Sequence, residues 1–441
     1  MKEKEHAKVS DDYSLERVPQ SARLPMWKIL LVRLGAIATL SQFMLGASLG
    51  YGMTFWEAFW AVFFGAVILQ VISFLVGYAG AREGMSTSLL SRWAGFGRLG
   101  SSLIGLVIAI CTIGWFGVQN SVFAQGLVDA AGGKLNLSLS AAITGFGVTL
   151  LVIFGFKILT LTAEIAVPAF LLVVAFGIYN VLSDHSLFDL MAAKPPGETL
   201  SFGVGATMVA GGFMIGAVIT PDFSRYAKSG KDVMWMTVIG TIVGELGICM
   251  IAVLMAHAAQ TNDVVSIMTK ATGWLGLAAV VFSTIKINNV NLYSSSLGFT
   301  NLIDSLFGVK TNRGIVTLVI GAIGTVLSIL GILDKFVDFL VLLGVMIPPI
   351  AGIIVVDYFI LKTHRKELDE SREKGELPAT VESFNPVSII AWIAGFAGGY
   401  FITLGIQSIN SLVISAVIYY GGSLALKAVR GNTVEKEKVA S

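Results

Sequence analysis

Four polar or charged side chains that can do chemistry interrupt one long apolar segment of the sequence. The stretch 283–296 reads STIKINNVNLYSSS and contains one lysine, Lys286, and three asparagines, Asn288, Asn289 and Asn291. Charge inside such a segment is costly, and an ionisable residue there is a functional candidate. An amide both donates and accepts hydrogen bonds, which suits the edge of a heterocycle. Hydrogen bonding between neighbouring helices is the alternative role of the asparagines.

Aromatic residues supply a second kind of candidate. Trp115 lies at the middle of a predicted span, in the stretch CTIGWFGVQNSVFAQG, and Phe213 directly follows Gly211 and Gly212. Tryptophan usually gathers at membrane interfaces, so a ring at mid-span is unusual, and aromatic faces can stack on a flat ligand. We expect Trp115 and Phe213 to form a platform for a planar molecule. Packing within the protein core is the alternative.

Three further ionisable residues lie within apolar segments: Arg33, Glu164 and Glu245. A long basic side chain can extend along the helix to the interface, which is the alternative to a functional role for Arg33. For the two glutamates, a structural ion pair or hydrogen bond is the alternative.

The composition indicates which elements position these residues. Of the 441 residues, 55% are hydrophobic and only 13% are charged, and the mean hydropathy is +0.80. A soluble domain is about 25% charged. Long continuous apolar segments predict an all-α polytopic membrane protein, whereas an outer-membrane barrel would show short alternating segments. We identify twelve candidate spans in the sequence.

Basic residues orient these spans, because they remain on the cytoplasmic side. With the N-terminus inside, the predicted inner segments hold 24 of the 30 basic residues and the outer loops hold four. This bias predicts a multi-pass protein of the cytoplasmic membrane with both termini in the cytoplasm. The polar N-terminal region indicates no cleavable signal peptide. The predicted domains are a cytoplasmic tail (1–25), a ten-helix core (26–361), a cytoplasmic linker (362–384), two peripheral transmembrane helices (385–426) and a cytoplasmic C-terminal tail (427–441).

Two predicted spans contain helix-breaking residues. Span one has Ser41 and Gln42 followed by Gly46, and span six has Gly211-Gly212 at mid-depth and Pro221 near its inner end. Secondary transporters bind substrate near the midplane, beside helices broken in this way. The two spans are five apart, which fits an inverted repeat of five plus five. Close helix packing is the alternative role of the glycines.

Six motifs occur in order along the chain: VPQSAR, VGYAGAREGMSTSLLSRWAGFG, GWFGV, PDFSRYAK, LYSSSLGFTN and IPPIAGIIVVDYFI. With them the sequence resembles the nucleobase–cation symporter-1 family, and the cytosine permease branch most of all. The resemblance implies the LeuT-like fold, with ten helices in two inverted repeats, two peripheral helices, and breaks in helices 1 and 6. It also implies alternating-access transport of purines, pyrimidines, hydantoins, allantoin or related vitamins, driven by sodium or protons.

The resemblance assigns substrate contacts residue by residue. Trp115 matches the stacking tryptophan of the family, Phe213 the aromatic residue on the other side of the ring, and Asn288 an asparagine that hydrogen-bonds the base. Cytosine permeases resemble SFIS where this chain has GFMI at 212–215, and they have glutamine at the position of Thr112. These departures imply a less polar pocket. Whether the substrate is cytosine, a purine or another small heterocycle therefore remains open. The candidate substrate contacts are Trp115, Phe213, Asn288, Gly212, Thr112, Gln42 and Asn289.

The sequence also departs from the sodium site that the resemblance implies. In this fold, sodium lies between backbone carbonyls of span one and side-chain oxygens of span eight, at positions occupied here by Ser283, Lys286 and Ile287. A hard cation needs several oxygen ligands, and Ile287 provides none. We hypothesise that Lys286 replaces the ion, pairs with carbonyls near Gly35–Thr39 and couples transport to a proton, with Glu164 as its acid partner. An uncoupled facilitator and a sodium-coupled permease are the alternatives.

Other classes of protein fit the sequence less well. We expect the four histidines to lie in the N-terminal tail or in loops, outside any ligand cluster, and the sequence contains no phosphate-binding loop. We expect neither an enzyme nor an ATP-driven pump, and no cofactor; a channel is the alternative of a different class. The expected partners are a nucleobase, a co-transported proton in preference to sodium, and the lipid bilayer, but not nucleic acid.

Overall fold

The computed structural model describes residue 13 and residues 16–154, 156–307 and 312–440, apart from the side chains of 154, 156–167, 297, 301, 304–307, 313 and 430–440. The described residues form an all-helical structure with an isolated bridge between Leu24 and Ala227. The first half contains a 3-10 turn (Gln20–Ala22) and helices α1 (Met26–Ile37), α2 (Leu40–Gly52), α3 (Phe55–Glu83), α4 (Thr87–Leu90), α5 (Gly97–Ala130), α6 (Leu137–Phe154), α7 (Phe156–Asp184), α8 (Leu187–Ala192), α9 (Phe202–Val218) and α10 (Thr220–Ser224).

The second half continues the same helical pattern and includes two π-helical segments. It contains α11 (Gly230–Thr241), a π segment (Ile242–Ile248), α12 (Cys249–Ala259), α13 (Val264–Thr272), α14 (Trp274–Phe307), α15 (Arg313–Ile329), a 3-10 turn (Ile332–Lys335), α16 (Phe336–Met346), α17 (Pro348–Val355), a second π segment (Val356–Leu361), α18 (Arg365–Glu373), α19 (Pro386–Phe401) and α20 (Gln407–Ala440).

The first predicted span is broken into α1 and α2. The two helices meet at an angle of 52°, and the break lies at Ala38 and Thr39, of which Thr39 has extended backbone angles (φ −132°, ψ 166°). A break frees carbonyl groups that a continuous helix would use internally. The polar residues Ser41 and Gln42 lie directly after this break, in the first turn of α2.

The sixth predicted span is interrupted at Ile219 and not at Gly211-Gly212, so the predicted position of this break is wrong. Helix α9 passes through both glycines and ends at Ile219, before the short helix α10 with Pro221 in its first turn. Proline lacks an amide hydrogen and disfavours helical geometry in the residue before it. Gly211 instead allows close packing, because a Cβ there would overlap the carbonyl oxygen of Leu340 in α16.

Several helices are apolar and long enough to cross a membrane. Six segments of the described chain meet both criteria, and the bent pair of α1 and α2 makes a seventh when it is counted as one span. Shorter apolar helices lie at other predicted spans, so the number twelve stays a prediction. These shorter helices are Leu137–Ile153, Pro168–Asp184, Phe202–Val218, Gly314–Ile329 and Pro386–Phe401.

Helix packing brings the candidate residues to the centre of the fold. Helix α5 lies along α14, α2 lies along α12, and α9 packs between α3 and α16. The last two helices, α19 and α20, pack on each other and on α17. Glycines make their contact close, since Gly395 and Gly399 of α19 lie directly against Ser415 and Ser411 of α20. The division between core and peripheral helices remains a prediction.

A buried carboxylate, Glu83, joins four segments at the end of α3. Its side chain is 0% exposed and accepts hydrogen bonds from Arg17 (2.8 Å), Arg372 (2.8 Å) and the hydroxyl of Tyr358 (2.6 Å). Arg17 precedes the first helix, Tyr358 lies in the second π segment, and Arg372 lies in α18, the helix of the predicted linker. Through these hydrogen bonds and ion pairs, Glu83 connects the N-terminal segment and the linker helix α18 to α3.

The packing at Gly211 leads to the first prediction. Gly211→Ala should lower the stability of the purified protein by about 1–3 kcal/mol, because the added methyl group overlaps α16. Gly147→Ala is the control, since a Cβ at Gly147 of α6 has no neighbour within 4 Å. Thermal unfolding in detergent measures both variants, and equal melting temperatures for the two would contradict the packing role of Gly211.

The Glu83 cluster leads to the second prediction. Glu83→Gln should destabilise the protein by about 3–5 kcal/mol, because removing one partner of a buried pair leaves the Arg17 guanidinium without its counter-charge. Glu370→Gln is the matched control: its partner Lys366 is 3.9 Å away and both side chains are exposed, so we expect a change below about 0.5 kcal/mol. Denaturant unfolding that ranks the two variants equally would refute the role of Glu83.

Candidate functional site

Helix α14 places its asparagines inside the protein. Asn288 is 0% exposed, and neither its Oδ1 nor its Nδ2 has a hydrogen-bond partner among the described residues. Asn289 is 2% exposed and its Oδ1 is likewise unpartnered. A buried polar group without a partner costs about 1–3 kcal/mol. These amides are therefore free to bind the polar edge of a ligand, and Asn288 has both a donor and an acceptor to offer.

Trp115 is buried on α5, the helix that packs along α14. Its ring makes edge-on contacts with Phe339 (centroids 5.3 Å apart, 80°) and Phe336 (6.1 Å, 73°), both from α16. The ring is thus held in a fixed orientation, as a stacking surface requires. Thr112, one turn earlier, uses its hydroxyl hydrogen within its own helix, towards the carbonyl oxygens of Ile108 and Ala109.

Phe213 is half-buried in α9 and packs against the same hydrophobic core that contains Trp115. Its ring rests on Gly216 and lies 5.5 Å from the guanidinium carbon of Arg33. Arg33 is 1% exposed and donates to Ser73 (3.0 Å) and Thr220 (3.3 Å), so it points into the protein and does not extend to the interface. That Trp115 and Phe213 enclose one ligand stays a prediction.

Gln119 is a candidate that the sequence reasoning missed. It lies one helical turn after Trp115, is 0% exposed, and donates from Nε2 to the hydroxyl of Ser41 at 2.6 Å. Its Oε1 has no hydrogen-bond partner among the described residues. An uncharged amide four residues after a mid-span tryptophan was the available signal, because positions i and i+4 share a helix face.

Gln42 and Gly212 come together next to the break in the first span. A Cβ on Gly212 would lie 3.9 Å from Oε1 of Gln42. Gln42 is 2% exposed, and its Nε2 donates to Oε1 of Glu245 at 3.0 Å. Gln42 and Gly212, two of the predicted substrate contacts, are therefore neighbours, and Glu245 is hydrogen-bonded to the first of them.

Lys286 reaches the break from α14. Its Nζ lies 3.2 Å from the carbonyl oxygen of Gly35, within the range of carbonyls that the sequence predicts for it. In a continuous helix this oxygen would accept from the amide of Thr39, but Thr39 donates to Ile37 instead. The ammonium therefore binds a carbonyl that the break has freed.

Two other predicted coupling residues have different outcomes. Ser283 lies three residues before Lys286 on the same helix and is 8% exposed. The side chain of Glu164 lies outside the described residues, so its pairing with Lys286 stays a prediction. Among the described residues, no group of three or more His, Cys, Asp or Glu side chains could hold a metal ion.

A separate cavity of about 440 Å³ lies where α7, α12 and α13 meet. Its lining includes Asn180, His185 and Lys270, and none of the predicted substrate or coupling residues. The candidate site is therefore the group of buried polar and aromatic side chains around the first break, and not the open cavity.

The sequence is similar to those of known permeases. A family model described as a permease for cytosine/purines, uracil, thiamine and allantoin matches residues 17–421. The cytosine permease of Escherichia coli (strain K12) is 29% identical over 436 residues, which cover 96% of this chain and 99% of that protein. A hydantoin permease of Microbacterium maritypicum is 24% identical over 351 residues, covering 73% of this chain and 70% of that protein.

Solved structures show the same fold. Mhp1, a nucleobase-cation-symport-1 family transporter in a closed conformation with bromovinylhydantoin bound, aligns with a TM-score of 0.72 at 17% identity, covering 94% of this chain and 96% of Mhp1. A Na⁺-coupled sialic acid symporter aligns with a TM-score of 0.61 at 11% identity, over 93% and 91% of the two chains. The fold is therefore LeuT-like. Since the family model covers most of its length, the chain belongs to the nucleobase–cation symporter-1 family of membrane permeases.

Proposed function

We propose that this permease imports a nucleobase, cytosine or a purine, across the cytoplasmic membrane by alternating access and couples import to a proton. The excess of basic residues in the predicted inner segments supports an orientation with both termini in the cytoplasm. Relatives named for cytosine and for hydantoin support a small, flat heterocycle with polar edges as the substrate.

One observation carries the substrate class: two helices that pack together carry unpartnered buried amides, and one of them also carries a tryptophan that its neighbours hold in place. Asn288 of α14 and Gln119 of α5 have free hydrogen-bonding atoms, and Trp115 is one turn from Gln119. In this function Trp115 stacks on the ring while the amides bind its edge, since amides match both donors and acceptors. Phe213 covers the opposite face. The remaining predicted contacts, Gly212, Thr112, Gln42 and Asn289, surround the ligand.

The coupling proposal rests on the contact between Lys286 and Gly35. The ammonium makes a charge-assisted hydrogen bond that ties α1, the first half of the broken span, to α14. A neutral amine has no charge with which to hold α1 in this way. Binding and release of a proton at Lys286 therefore change the attachment of α1, with Glu164 as the acid that exchanges the proton. Sodium has no place in this scheme, because Ile287 offers no oxygen ligand.

Ligand binding tests the substrate site. Trp115→Ala and Asn288→Ala should each weaken binding of the preferred base about 10- to 100-fold, the loss expected from about 1–3 kcal/mol of stacking or hydrogen bonding. Trp274→Ala is the control, because Trp274 is 74% exposed at the start of α14. Calorimetric titration with a panel of nucleobases, hydantoins and pyridines measures the affinities. Unchanged affinity in Trp115→Ala would remove the stacking role.

Uptake into proteoliposomes tests the coupling. Uptake of labelled base should rise with an inward proton gradient and should not respond to a sodium gradient. Lys286→Thr should abolish the proton-driven component, whereas Lys134→Thr in a predicted outer loop should leave it intact. A strong sodium requirement in the unmodified protein, or the same proton-driven uptake in Lys286→Thr, would refute the coupling role of Lys286.

A further inference from the structure

Glu245 is a carboxyl group deep in the protein that the proposed transport cycle leaves without a role. It is 0% exposed and lies in the π segment Ile242–Ile248, a type of irregularity that is frequent at functional sites. Its Oε1 accepts from Nε2 of Gln42 at 3.0 Å, and its Oε2 has no partner among the described residues. A carboxyl in such surroundings is costly to keep.

The packing of α2 on α12 holds Glu245 and Gln42 in register. Gly46 lies directly against the carbonyl oxygen of Cys249, and a Cβ on Gly50 would be 2.8 Å from the Cα of Val253. The thiol of Cys249 also donates to the backbone oxygen of Gln42 at 3.4 Å. Because the two backbones touch at these glycines, the backbones of Gln42 and Glu245 are held at a fixed separation.

The carboxyl group decides which end of the Gln42 amide faces the site. An ionised Glu245 only accepts hydrogen bonds, whereas a neutral carboxyl can also donate its O–H to Oε1 of Gln42. In the structure the Gln42 amino group faces Oε1 of Glu245, which is the arrangement that the ionised form requires. The amino end of Gln42 therefore points to Glu245, and the carbonyl end, Oε1, points the other way, 3.9 Å from the Cβ position of Gly212. The other contact of Oε1 is the Cys249 thiol at 3.8 Å, and thiols are weak donors.

We propose that Glu245 is a positioning residue that fixes Gln42 as a hydrogen-bond acceptor and thereby selects ligands with an N–H group at this edge. The inference rests on the proposed function, since it requires a heterocycle beside Gln42. An amino or ring N–H donates to Oε1. A methyl group or ring nitrogen in the same place leaves Oε1 unpaired, and sites built to hydrogen-bond a ligand group discriminate strongly against analogues that lack it.

The test compares ligands that differ by one N–H donor. Suitable pairs are cytosine with 4-methylpyrimidin-2-one, adenine with 6-methylpurine, and hydantoin with its N-methyl derivative. The unmodified full-length protein should bind the N–H member of at least one pair about 10- to 100-fold more tightly. In Glu245→Gln the new amide can donate to Gln42 and let that side chain turn round, so this ratio should fall about tenfold while the affinity for the other member stays nearly constant.

Further variants separate positioning from a merely structural role. Glu245→Asp keeps an accepting group and should restore part of the preference. Gln42→Leu should abolish the preference, and adding Glu245→Gln to it should change the ratio no further, because coupled residues are not additive.

Three results overturn the proposal. They are an unchanged ratio in Glu245→Gln, an equal loss of affinity for both members of each pair, and a preference that survives in Gln42→Leu. If Glu245→Gln does not fold, the test rests on Gln42→Leu, in which a surviving preference for the N–H ligand overturns the proposal. A wild-type protein that binds none of these heterocycles rejects the proposed function as well, whereas binding with an insensitive ratio rejects only the role of Glu245.

Discussion

A broken helix inside a membrane has carbonyl groups that must find partners, because the lipid offers none. In this permease the break at Ala38 and Thr39 frees the carbonyl oxygen of Gly35, and the ammonium of Lys286 binds it at 3.2 Å. We propose that this side chain takes the place of a bound cation. The charge is tethered to α14, so it stays with the protein when the substrate leaves.

The two halves of the broken span contact different parts of the fold. On α1, Arg33 binds Ser73 of α3 and Thr220 at the second break. On α2, Ser41 accepts from Gln119 of α5, and Gln42 donates to Glu245 of the first π segment. The first half thus carries the contacts to the cationic group and to the second break, and the other half carries the contacts to the candidate substrate site. In the proposed cycle, a change in the bend between the two halves transmits protonation of Lys286 to the candidate substrate site.

The sequence indicated which polar and aromatic residues lie inside the apolar spans, but it did not indicate which neighbours their side chains face. Lys286 stood out because charge is costly in an apolar segment, and its contact with the region of Gly35 followed from the family resemblance. The position of the second break was missed, because glycine serves both helix breaks and close packing and only the neighbouring Leu340 distinguishes them. Gln119 and the pairing of Gln42 with Glu245 were missed because hydropathy does not report which neighbour a side chain faces.

We propose above all that the Lys286 ammonium group occupies the place of a sodium ion at the first break. The most direct measurement is an electron cryomicroscopy structure of the protein with a bound nucleobase, determined in sodium chloride at a resolution that shows ions. Lys286 should lie within about 3 Å of the Gly35 carbonyl oxygen, with no separate ion density there. Density for a coordinated ion at this carbonyl, with Lys286 turned away, would contradict it.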